Sequence, residues 1–417
     1  MPQVSILRPG IPRIPPIHAG DKINAFLLLR GTALRRSPVL VQALVLGLTF
    51  LTASLSHAQT TPPPAKISGD VVPAAEWQQV APESVRYSSA KLEALRAWVK
   101  TQDTGSMMVV VQGRVIFSYG DVTHTSKIAS ARKSVLGMLY GKYLADNTID
   151  LDKTVVQLGL QDKVPFLPIE EHATLVQLLA SRSGIYLPER DHPEKLPAWD
   201  QGRYLPPRGS EYPGTHYVYN NWDFDAAGTA FEKLTHKGIY QALHDDLAVP
   251  IGMQDYDIAK QKKIDAPDCV HPEYAMYLST RDMARLGLLM LDYGVWNGKI
   301  LFPGDWVRYM TTLITPFRDI NPTGLRNEAE PGRWGYGLMW WVWDVPMYPG
   351  GIYTGFMQGA YSAMGTGGTY ITVLPNRDMV VVHQVDIDKN SRADVSPSSY
   401  MAMLSMIANS YCGDACK

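Results

Sequence analysis

The sequence predicts an α/β (α+β) fold in which an antiparallel sheet is flanked by helices and carries an inserted, mostly helical subdomain. Strand-like segments occur near both ends of the body of the chain, and the segments between them mostly have helical periodicity. Strands at both ends around a helical middle are typical of one domain whose sheet is completed by both ends of the chain.

Two strand pairs are predicted, one at each end of the domain. Residues 107–111 form an apolar run that is followed by Gln-Gly and a second apolar run over 115–117, which is the pattern of a β-hairpin. Near the other end, the runs Tyr370–Leu374 and Met379–His383 are separated by Pro-Asn-Arg-Asp, whose residue types favour a turn.

Helices account for most of the other periodic segments. A first helix is expected over Ser89–Lys100, where apolar residues recur at helical spacing after a serine cap. The segment Ser134–Asn147 is apolar almost all round, so we expect a buried helix there. Further helices are expected over Leu175–Leu179, Ala226–Leu234, Ile239–Leu247 and Ala284–Leu291.

The composition limits the classes of function. The chain has 417 residues, of which 46% are hydrophobic and 19% charged, with a formal net charge of −1. This balance gives no electrostatic basis for binding nucleic acid. An oxidising compartment would permit one disulfide among Cys269, Cys412 and Cys416, and the last two are close enough to close a small loop. Two cysteines at that spacing are too few ligands for a metal site, so we expect no metal. We also expect no cofactor.

The N-terminal segment has the features of an export signal. Arginines precede an apolar run over Val39–Leu55, and Ser56-His57-Ala58 resembles a small-x-small cleavage site. We therefore predict a signal peptide over 1–58, a proline-rich linker over 59–75, and a periplasmic or secreted domain over 76–417, with its helical insert at about 140–330. The alternative is an uncleaved anchor helix, for which the apolar run is at the lower limit of length.

A Ser-x-x-Lys motif, formed by Ser130 and Lys133, stands at the start of the predicted buried helix. Residues three apart on a helix share a face, so the lysine amine can reach the serine hydroxyl. The first turn also offers unpaired N–H groups, and the N–H of Ser130 can help to bind an oxyanion. The alternative is a surface lysine on a helix that Ser130 merely caps.

Two further segments suit the same chemistry. Tyr219-Asn220-Asn221 provides a phenol that can share a proton with a lysine and an amide that can orient it. The alternative is an aromatic loop packed on the core. In Gly365-Thr366-Gly367-Gly368, glycines permit close approach to an edge strand, and the Thr366 N–H is a candidate second oxyanion donor. The alternative there is a plain β-turn.

In this order, the motifs resemble those of the serine β-lactamase and penicillin-binding-protein superfamily, in its class C-like branch. The resemblance covers roughly Val109 to Asp386. The segments that carry it are Ile128–Ser134, Ile149–Val155, Thr174–Ile185, Pro213–Phe224, Pro250–Asp255, Ser279–Arg285 and Gly335–Trp341.

The resemblance implies a β-lactamase/transpeptidase-like fold and a role for each matched residue. Ser130 is the nucleophile that becomes acylated, and Lys133 and Tyr219 share the work of the base. Asn221 orients Lys133 and the substrate, and the N–H groups of Ser130 and Thr366 form the oxyanion hole. Which of Lys133 and Tyr219 takes the serine proton stays open, since such a pair titrates as one coupled system.

One departure from the family pattern bears on the substrate. Members acting on β-lactams or D-Ala peptides carry a Lys or His in the edge-strand motif, but Ala363–Gly368 contains no cation. This part looks more like esterases and 6-aminohexanoate-dimer hydrolases of the same fold. The aromatic stretch Trp334–Trp343, with Tyr348 and Tyr353, is a candidate pocket lining, or else core packing.

The sequence therefore predicts a serine hydrolase that cleaves a small-molecule ester or amide through an acyl-enzyme on Ser130. The alternatives are a β-lactamase or D-Ala-D-Ala peptidase, and an inactive binding protein of the same fold. His216 is included among the candidate substrate-binding residues with Gly365 and Gly367. Asp223 is interpreted as a helix cap rather than a contact for a substrate amine. A membrane contact is expected only if the signal segment stays uncleaved.

Overall fold

The computed structural model describes residues 71–188, 205–345, 352–391 and 393–416, without the side chains of 352–354. The strands are β1 (Ser106–Val111), β2 (Arg114–Gly120), β3 (Thr125–Lys127), β4 (Lys262–Ala266), β5 (Cys269–Ala275), β6 (Tyr277–Ser279), β7 (Val295–Trp296), β8 (Lys299–Ile300), β9 (Trp334–Tyr336), β10 (Trp341–Trp343), β11 (Tyr361–Gly365), β12 (Thr369–Leu374) and β13 (Met379–Gln384).

The helices are α1 (Ser89–Val99), α2 (Ala131–Ala145), α3 (Leu175–Leu179), α4 (Asn221–Thr235), α5 (Ile239–Ala242), α6 (Val249–Ile251), α7 (Thr280–Leu291), α8 (Gly304–Met310), α9 (Thr323–Ala329), α10 (Ile352–Met357) and α11 (Pro397–Ser410). A π-helical turn over Leu243–Ala248 continues from α5 into α6. None of the helices in the described residues is both long and apolar enough to span a bilayer.

A seven-stranded antiparallel sheet forms the centre of the fold, in the order β2-β1-β13-β12-β11-β10-β9. Every residue of β1, β12 and β13 is buried, which explains why these strands are mainly apolar rather than alternating. Helix α7 covers one face so closely that a Cβ on Gly287 would lie 2.5 Å from Val380 Cγ1. The prediction of a sheet completed by both ends of the chain is confirmed.

The insert departs from its prediction in one respect. Besides helices, it contains the two-stranded sheets β4-β5 and β7-β8, and its strand β6 pairs with β3, which lies before the insert. Apart from β5, these strands have five residues or fewer, and no continuous apolar run marks them in the sequence. The description "mostly helical" therefore holds only for the larger elements.

Two helices begin earlier in the structure than the sequence predicted. Helix α2 begins at Ala131 rather than Ser134, because its first turn carries the charged residues Arg132 and Lys133. Helix α4 begins at Asn221 rather than Ala226, because Asp223 and Asp225 interrupt the apolar residues of its first turns. Contacts with the domain begin by Val71, whose N–H donates to Gln112 O. Arg285 also donates to backbone carbonyls within the last residues of the predicted linker. The predicted signal peptide lies outside the described residues.

The cysteines pair as their spacing allows. Cys412 and Cys416 form a disulfide in the C-terminal turn, whereas Cys269 is a buried free thiol. Among the described residues, no group of three or more His, Cys, Asp or Glu side chains is arranged to hold a metal ion.

Candidate active site

Ser130 stands at the N-cap of α2 and is partly exposed. The residue before it, Ala129, has a φ of +47°, in the left-handed region that non-glycine residues rarely adopt. Such a conformation costs on the order of 1–3 kcal/mol and persists only where the surroundings impose it. The strained turn therefore presents the serine hydroxyl at the start of a helix whose body is buried.

Lys133 lies one turn further along α2 and is only 1% exposed. Its Nζ is 2.9 Å from Ser130 Oγ, 2.7 Å from Tyr219 OH and 2.6 Å from Asn221 Oδ1. It also lies 4.4 Å from the centre of the Tyr219 ring. Three of the four side chains that the sequence singled out thus converge on the amine of the fourth, Lys133. The interpretation of Lys133 as a surface lysine is excluded.

The start of α4 brings Tyr219 and Asn221 to that amine. Asn220 caps the helix by accepting a hydrogen bond from Trp222 N, and its own N–H donates to Ser181 Oγ. The Tyr219 N–H donates to Asn321 O at 2.9 Å. The backbone hydrogen bonds and the cap therefore hold the residues on either side of Asn220. From this turn, the side chains of Tyr219 and Asn221 reach Lys133.

Asp223 is not the helix cap that the sequence analysis expected, because Asn220 fills that position. Its carboxylate, 1% exposed, accepts hydrogen bonds from Ser183 Oγ at 2.5 Å and Asn220 Nδ2 at 3.4 Å. Burial raises the pKa of Asp223 well above its usual range. Asp223 thus connects the loop after α3 to the turn that carries Tyr219 and Asn221.

A buried ion pair joins the two helices of the site. Arg132, the residue before Lys133, donates from Nη2 to Asp225 Oδ1 at 2.8 Å, and both side chains are at most 5% exposed. The Arg132 guanidinium also lies 4.8 Å from the centre of the Tyr274 ring. Because this pair links the first turn of α2 to the second turn of α4, it fixes the distance between Ser130 and Tyr219.

The Tyr219 phenol is buried among other rings. Phe224, Tyr336 and Trp341 lie with ring centres 5.1–6.0 Å from the Tyr219 ring. This burial raises the pKa of Tyr219 to about 12, although a hydrogen bond with Ser130 opposes the rise. Burial thus favours the neutral form of the phenol.

The aromatic stretch from Trp334 to Trp343 serves two purposes. Tyr336 and Trp341 pack on the Tyr219 ring, so they form the wall behind the site. Trp340 packs on Tyr361 instead and is 1% exposed, which is core packing. Tyr348 lies outside the described residues, and the side chain of Tyr353 is not described.

The glycine segment lies against the nucleophile. A Cβ on Gly365 would be 2.3 Å from Ile128 O and 3.3 Å from Ala131 N, so only glycine permits this approach of β11 to the start of α2. Gly368 N donates to Gly365 O at 3.2 Å and closes a turn in which Gly367 has a φ of +88°. That positive φ at the third position is typical of a type II turn.

Within this turn the predicted residues have different surroundings. Thr366 is exposed and follows directly on the glycine that touches the Ser130 segment. Gly367 instead faces Ile387 and Ala393, so its contribution is the backbone conformation.

His216 is partly exposed three residues before Tyr219, and no described contact joins it to Lys133 or Ser130.

Three features escaped the sequence analysis: the Arg132–Asp225 pair, the two serines at 181 and 183, and His383. Arg132 lies inside the Ser-x-x-Lys motif and the serines lie inside a recognised segment, so their positions, but not their partners, were visible. His383 interrupts the apolar strand β13, and this interruption was the sequence feature that could have singled it out.

The fold and this arrangement of a serine, a lysine and a tyrosine define a class of protein. The sequence profile of the Beta-lactamase family matches residues 95–397, which is most of the chain, and the chain belongs to that family. Members of this family are hydrolases, and the chain has the β-lactamase fold. The resemblance to the serine β-lactamase and penicillin-binding-protein superfamily is thereby confirmed.

Solved structures share the fold at low sequence identity. A putative 6-aminohexanoate-dimer hydrolase from Bacillus anthracis matches with a TM-score of 0.54 and 19% identity, over 84% of this chain and 89% of that one. A putative β-lactamase from Bacteroides dorei gives 0.55 and 19%, over 78% and 99%. The hydrolase EstCE1, with promiscuous acyltransferase activity, gives 0.52 and 14%, over 79% and 99%.

A curated relative is also similar in part. An uncharacterized protein of Alkalihalophilus pseudofirmus is 28% identical over 107 residues, which are 26% of this chain. The match spans only 29% of that relative's length.

Proposed function

We propose that the protein is a serine hydrolase that cleaves a small to medium ester or amide through an acyl-enzyme on Ser130. The observation that carries this proposal is the convergence of Ser130 Oγ, Tyr219 OH and Asn221 Oδ1 on Lys133 Nζ within 2.9 Å. A serine hydroxyl is a weak nucleophile until a neighbouring base takes its proton, and an amine in contact with the hydroxyl is such a base.

In the first step, Ser130 Oγ attacks the substrate carbonyl carbon and its proton passes to Lys133 Nζ, which must be uncharged at that moment. We assign this acceptance to Lys133 because its Nζ is 2.9 Å from Ser130 Oγ, while burial raises the pKa of Tyr219 and so favours the neutral phenol. The Asn221 carbonyl oxygen can only accept, so it orients one N–H of the amine and leaves the lone pair for the serine proton.

In the second step, the leaving oxygen or nitrogen departs with a proton that Tyr219 donates and Lys133 replaces through their 2.7 Å contact. The acyl group stays on Ser130 as an ester. Water then attacks this ester and gives up a proton to the same pair, which releases the acid and restores the hydroxyl. The negative charge on the carbonyl oxygen in both steps is assigned to the N–H groups of Ser130 and Thr366.

Two features support an ester or amide substrate without a recognised carboxylate. Strand β11 and its turn carry Ala363, Met364 and Thr366 where relatives acting on β-lactams carry a cation. Behind the phenol, Phe224, Tyr336 and Trp341 pack on the Tyr219 ring and make this side of the site apolar. The neighbours named as a 6-aminohexanoate-dimer hydrolase and as a hydrolase with acyltransferase activity fit this substrate class.

The proposal is tested by comparing two chromogenic substrates, p-nitrophenyl butyrate and a cephalosporin, on the wild type and Ser130→Ala. We expect ester cleavage by the wild type and a fluorophosphonate adduct on Ser130 in the intact mass. Rapid cephalosporin opening without ester cleavage would instead assign the β-lactamase alternative. Failure of every reactive probe to label Ser130 would assign the inactive binding protein.

We also propose that the protein works outside the cytoplasm, in the periplasm or as a secreted enzyme. The sequence pattern before residue 59 supports export, and the Cys412–Cys416 disulfide suits an oxidising compartment. N-terminal sequencing of the protein from fractionated cells tests this: a mature chain that starts near Gln59 is expected. A cytoplasmic protein with an intact start contradicts it.

A further inference from the structure

The turn that carries Thr366 is anchored from behind by a buried histidine. His383 lies on β13, is 0% exposed, and its Nδ1 is 2.5 Å from Gly368 O. A carbonyl oxygen can only accept, so Nδ1 carries the proton in this contact. His383 Nε2 is then the acceptor, and it is 2.9 Å from Thr104 Oγ1, whose hydroxyl donates to it. This pair of bonds fixes both the tautomer and the orientation of the ring.

The turn needs anchors outside itself. Gly367 and Gly368 have φ values of +88° and +109°, and neither has a side chain that could pack against a neighbour. Two described contacts hold their carbonyls: Val395 N donates to Gly367 O at 3.0 Å, and His383 donates to Gly368 O. The first is a backbone bond, so His383 is the side chain through which the turn can be altered.

The position of the turn decides where the Thr366 N–H points. The hydrogen bond from Gly368 N to Gly365 O fixes the distance across the turn, and Gly365 touches the backbone around Ser130. Thr366 is the second residue of the turn, so its N–H is not used by that closing bond. A donor that must lie 2.7–3.1 Å from a developing oxyanion tolerates little displacement.

We propose that His383 is a positioning residue for the oxyanion hole, which it acts on through its hydrogen bond to Gly368 O. This inference rests on the proposed function, since it assumes that Thr366 N–H binds the oxyanion. The ring itself touches no reacting atom. The stacked pair Tyr370 and Tyr400, with ring centres 6.2 and 5.9 Å from the imidazole, packs around the ring and limits its rotation.

The test compares an oxo ester with the matching thionoester, because a sulfur anion accepts hydrogen bonds poorly and gains less from the oxyanion hole. Removing one oxyanion donor costs about 10²–10³ in kcat, so a displaced donor in His383→Leu should cost roughly 10- to 100-fold with the oxo ester. With the thionoester the loss should be no more than about threefold, since the weaker acceptor gains less from that donor. The oxo-to-thiono ratio of kcat should therefore fall by at least roughly 3- to 30-fold.

Three variants separate positioning from mere structural support. His383→Asn keeps an N–H near the place of Nδ1 and should retain most of the wild-type ratio, whereas His383→Gln should not. His271→Leu is the matched control, because His271 is also buried and also bonded to a threonine hydroxyl, that of Thr229. It should leave the ratio unchanged. Melting temperatures accompany each variant.

Each outcome decides the question. If His383→Leu does not fold, Thr104→Val carries the test, and it should lower the ratio in the same direction because the ring loses its second anchor. An unchanged ratio in a folded His383→Leu protein overturns the inference while the proposed function stands. A wild type that cleaves no ester or amide overturns both. An equal fall for both esters shows a structural role and overturns the inference alone.

Discussion

The two halves of the site are built from different parts of the chain. In the nucleophile half, side chains from α2 and the start of α4 meet at Lys133 Nζ through direct hydrogen bonds. In the oxyanion half, the groups assigned to work are backbone N–H groups, and the glycine turn approaches α2 because Gly365 has no Cβ. The first half uses side-chain groups that belong to particular residues, and the second uses backbone N–H groups that every residue except proline has.

This difference teaches which substitutions can separate the halves. A side chain can be removed by substitution, so each group of the nucleophile half can be tested directly. A backbone N–H cannot be deleted, so the oxyanion half can be altered only through what positions it. The expected losses follow the same division, with the largest at Ser130 and the smallest at residues that only support the turn before α4.

Ser130→Ala should remove the atom that forms the covalent intermediate in the proposed mechanism. We expect turnover of p-nitrophenyl butyrate to fall by at least about 10⁴-fold, as for loss of a nucleophile in a serine enzyme. The hydroxyl is partly exposed, so the melting temperature should stay within a few degrees of the wild type. Steady-state kinetics and thermal unfolding check the two statements, and turnover near that of the wild type would remove Ser130 from the mechanism.

Tyr219→Phe should lower kcat by about 10² to 10⁴, the range for loss of general acid–base catalysis. The ring stays packed on Trp341, so the fold is kept and only the proton path is broken. Because burial raises the pKa of Tyr219 to about 12, the wild-type phenol is neutral at lower pH. The pH–rate profile below pH 10 should therefore keep its shape in the variant and only shift downward.

The control for that change is Lys133→Ala, which should cost a similar factor because both residues share one proton. The double variant should be little worse than either single one, since residues that act as a unit are not additive. A loss of the alkaline limb in Tyr219→Phe, or near-normal activity, would contradict the role given to the phenol.

Gly365→Ala tests the other half with a single methyl group. The new Cβ would meet Ile128 O at 2.3 Å, so the turn must move away from the start of α2. We expect kcat to fall by about 10², the loss expected when an oxyanion donor is misplaced. Gly238→Ala is the matched control, because its nearest neighbour is Glu232 Oε1 at 3.8 Å. Equal kinetics for the two variants would show that the close approach is not needed.

The sequence predicted which side chains meet in the nucleophile half because they belong to recognisable motifs. Ser130 and Lys133 are three apart on a helix, which places them together without knowledge of the fold. Tyr219 is 86 residues from Lys133 in sequence, and only the family resemblance, not spacing, brought it to the same amine. The site was therefore predicted from motifs, and its distances came from the structure.

Other parts could not be read from the sequence for physical reasons. The Arg132–Asp225 pair joins residues 93 apart, and an isolated Arg and Asp have many possible partners in a chain with 39 basic and 40 acidic residues. The contact of His383 with Gly368 depends on the register of β12 and β13 and on a turn conformation. The short strands of the insert are set by tertiary pairing, which overrides weak local preference.

The smallest effect is expected at Asp223, which supports the turn before α4 and touches no reacting atom. Asp223→Asn keeps an oxygen that can accept from Ser183 Oγ, so kcat should fall by less than about tenfold. The matched control is Ser183→Ala, which leaves the buried carboxylate without that donor and should cost about 1–3 kcal/mol of stability.

The pH dependence of the free energy of unfolding tests whether Asp223 is protonated in the folded state. Burial raises the pKa of Asp223, so the folded state holds the proton more tightly than the unfolded state, where the value is about 3.9. The contribution of Asp223 to stability is therefore fully present below about pH 4 and is lost as the pH rises toward the folded value. Relative to Asp223→Asn, which cannot titrate, the wild type should lose free energy of unfolding as the pH rises above 4. A wild type that instead gains stability relative to the variant would show that the donors from Ser183 and Asn220 outweigh burial and hold the carboxylate charged.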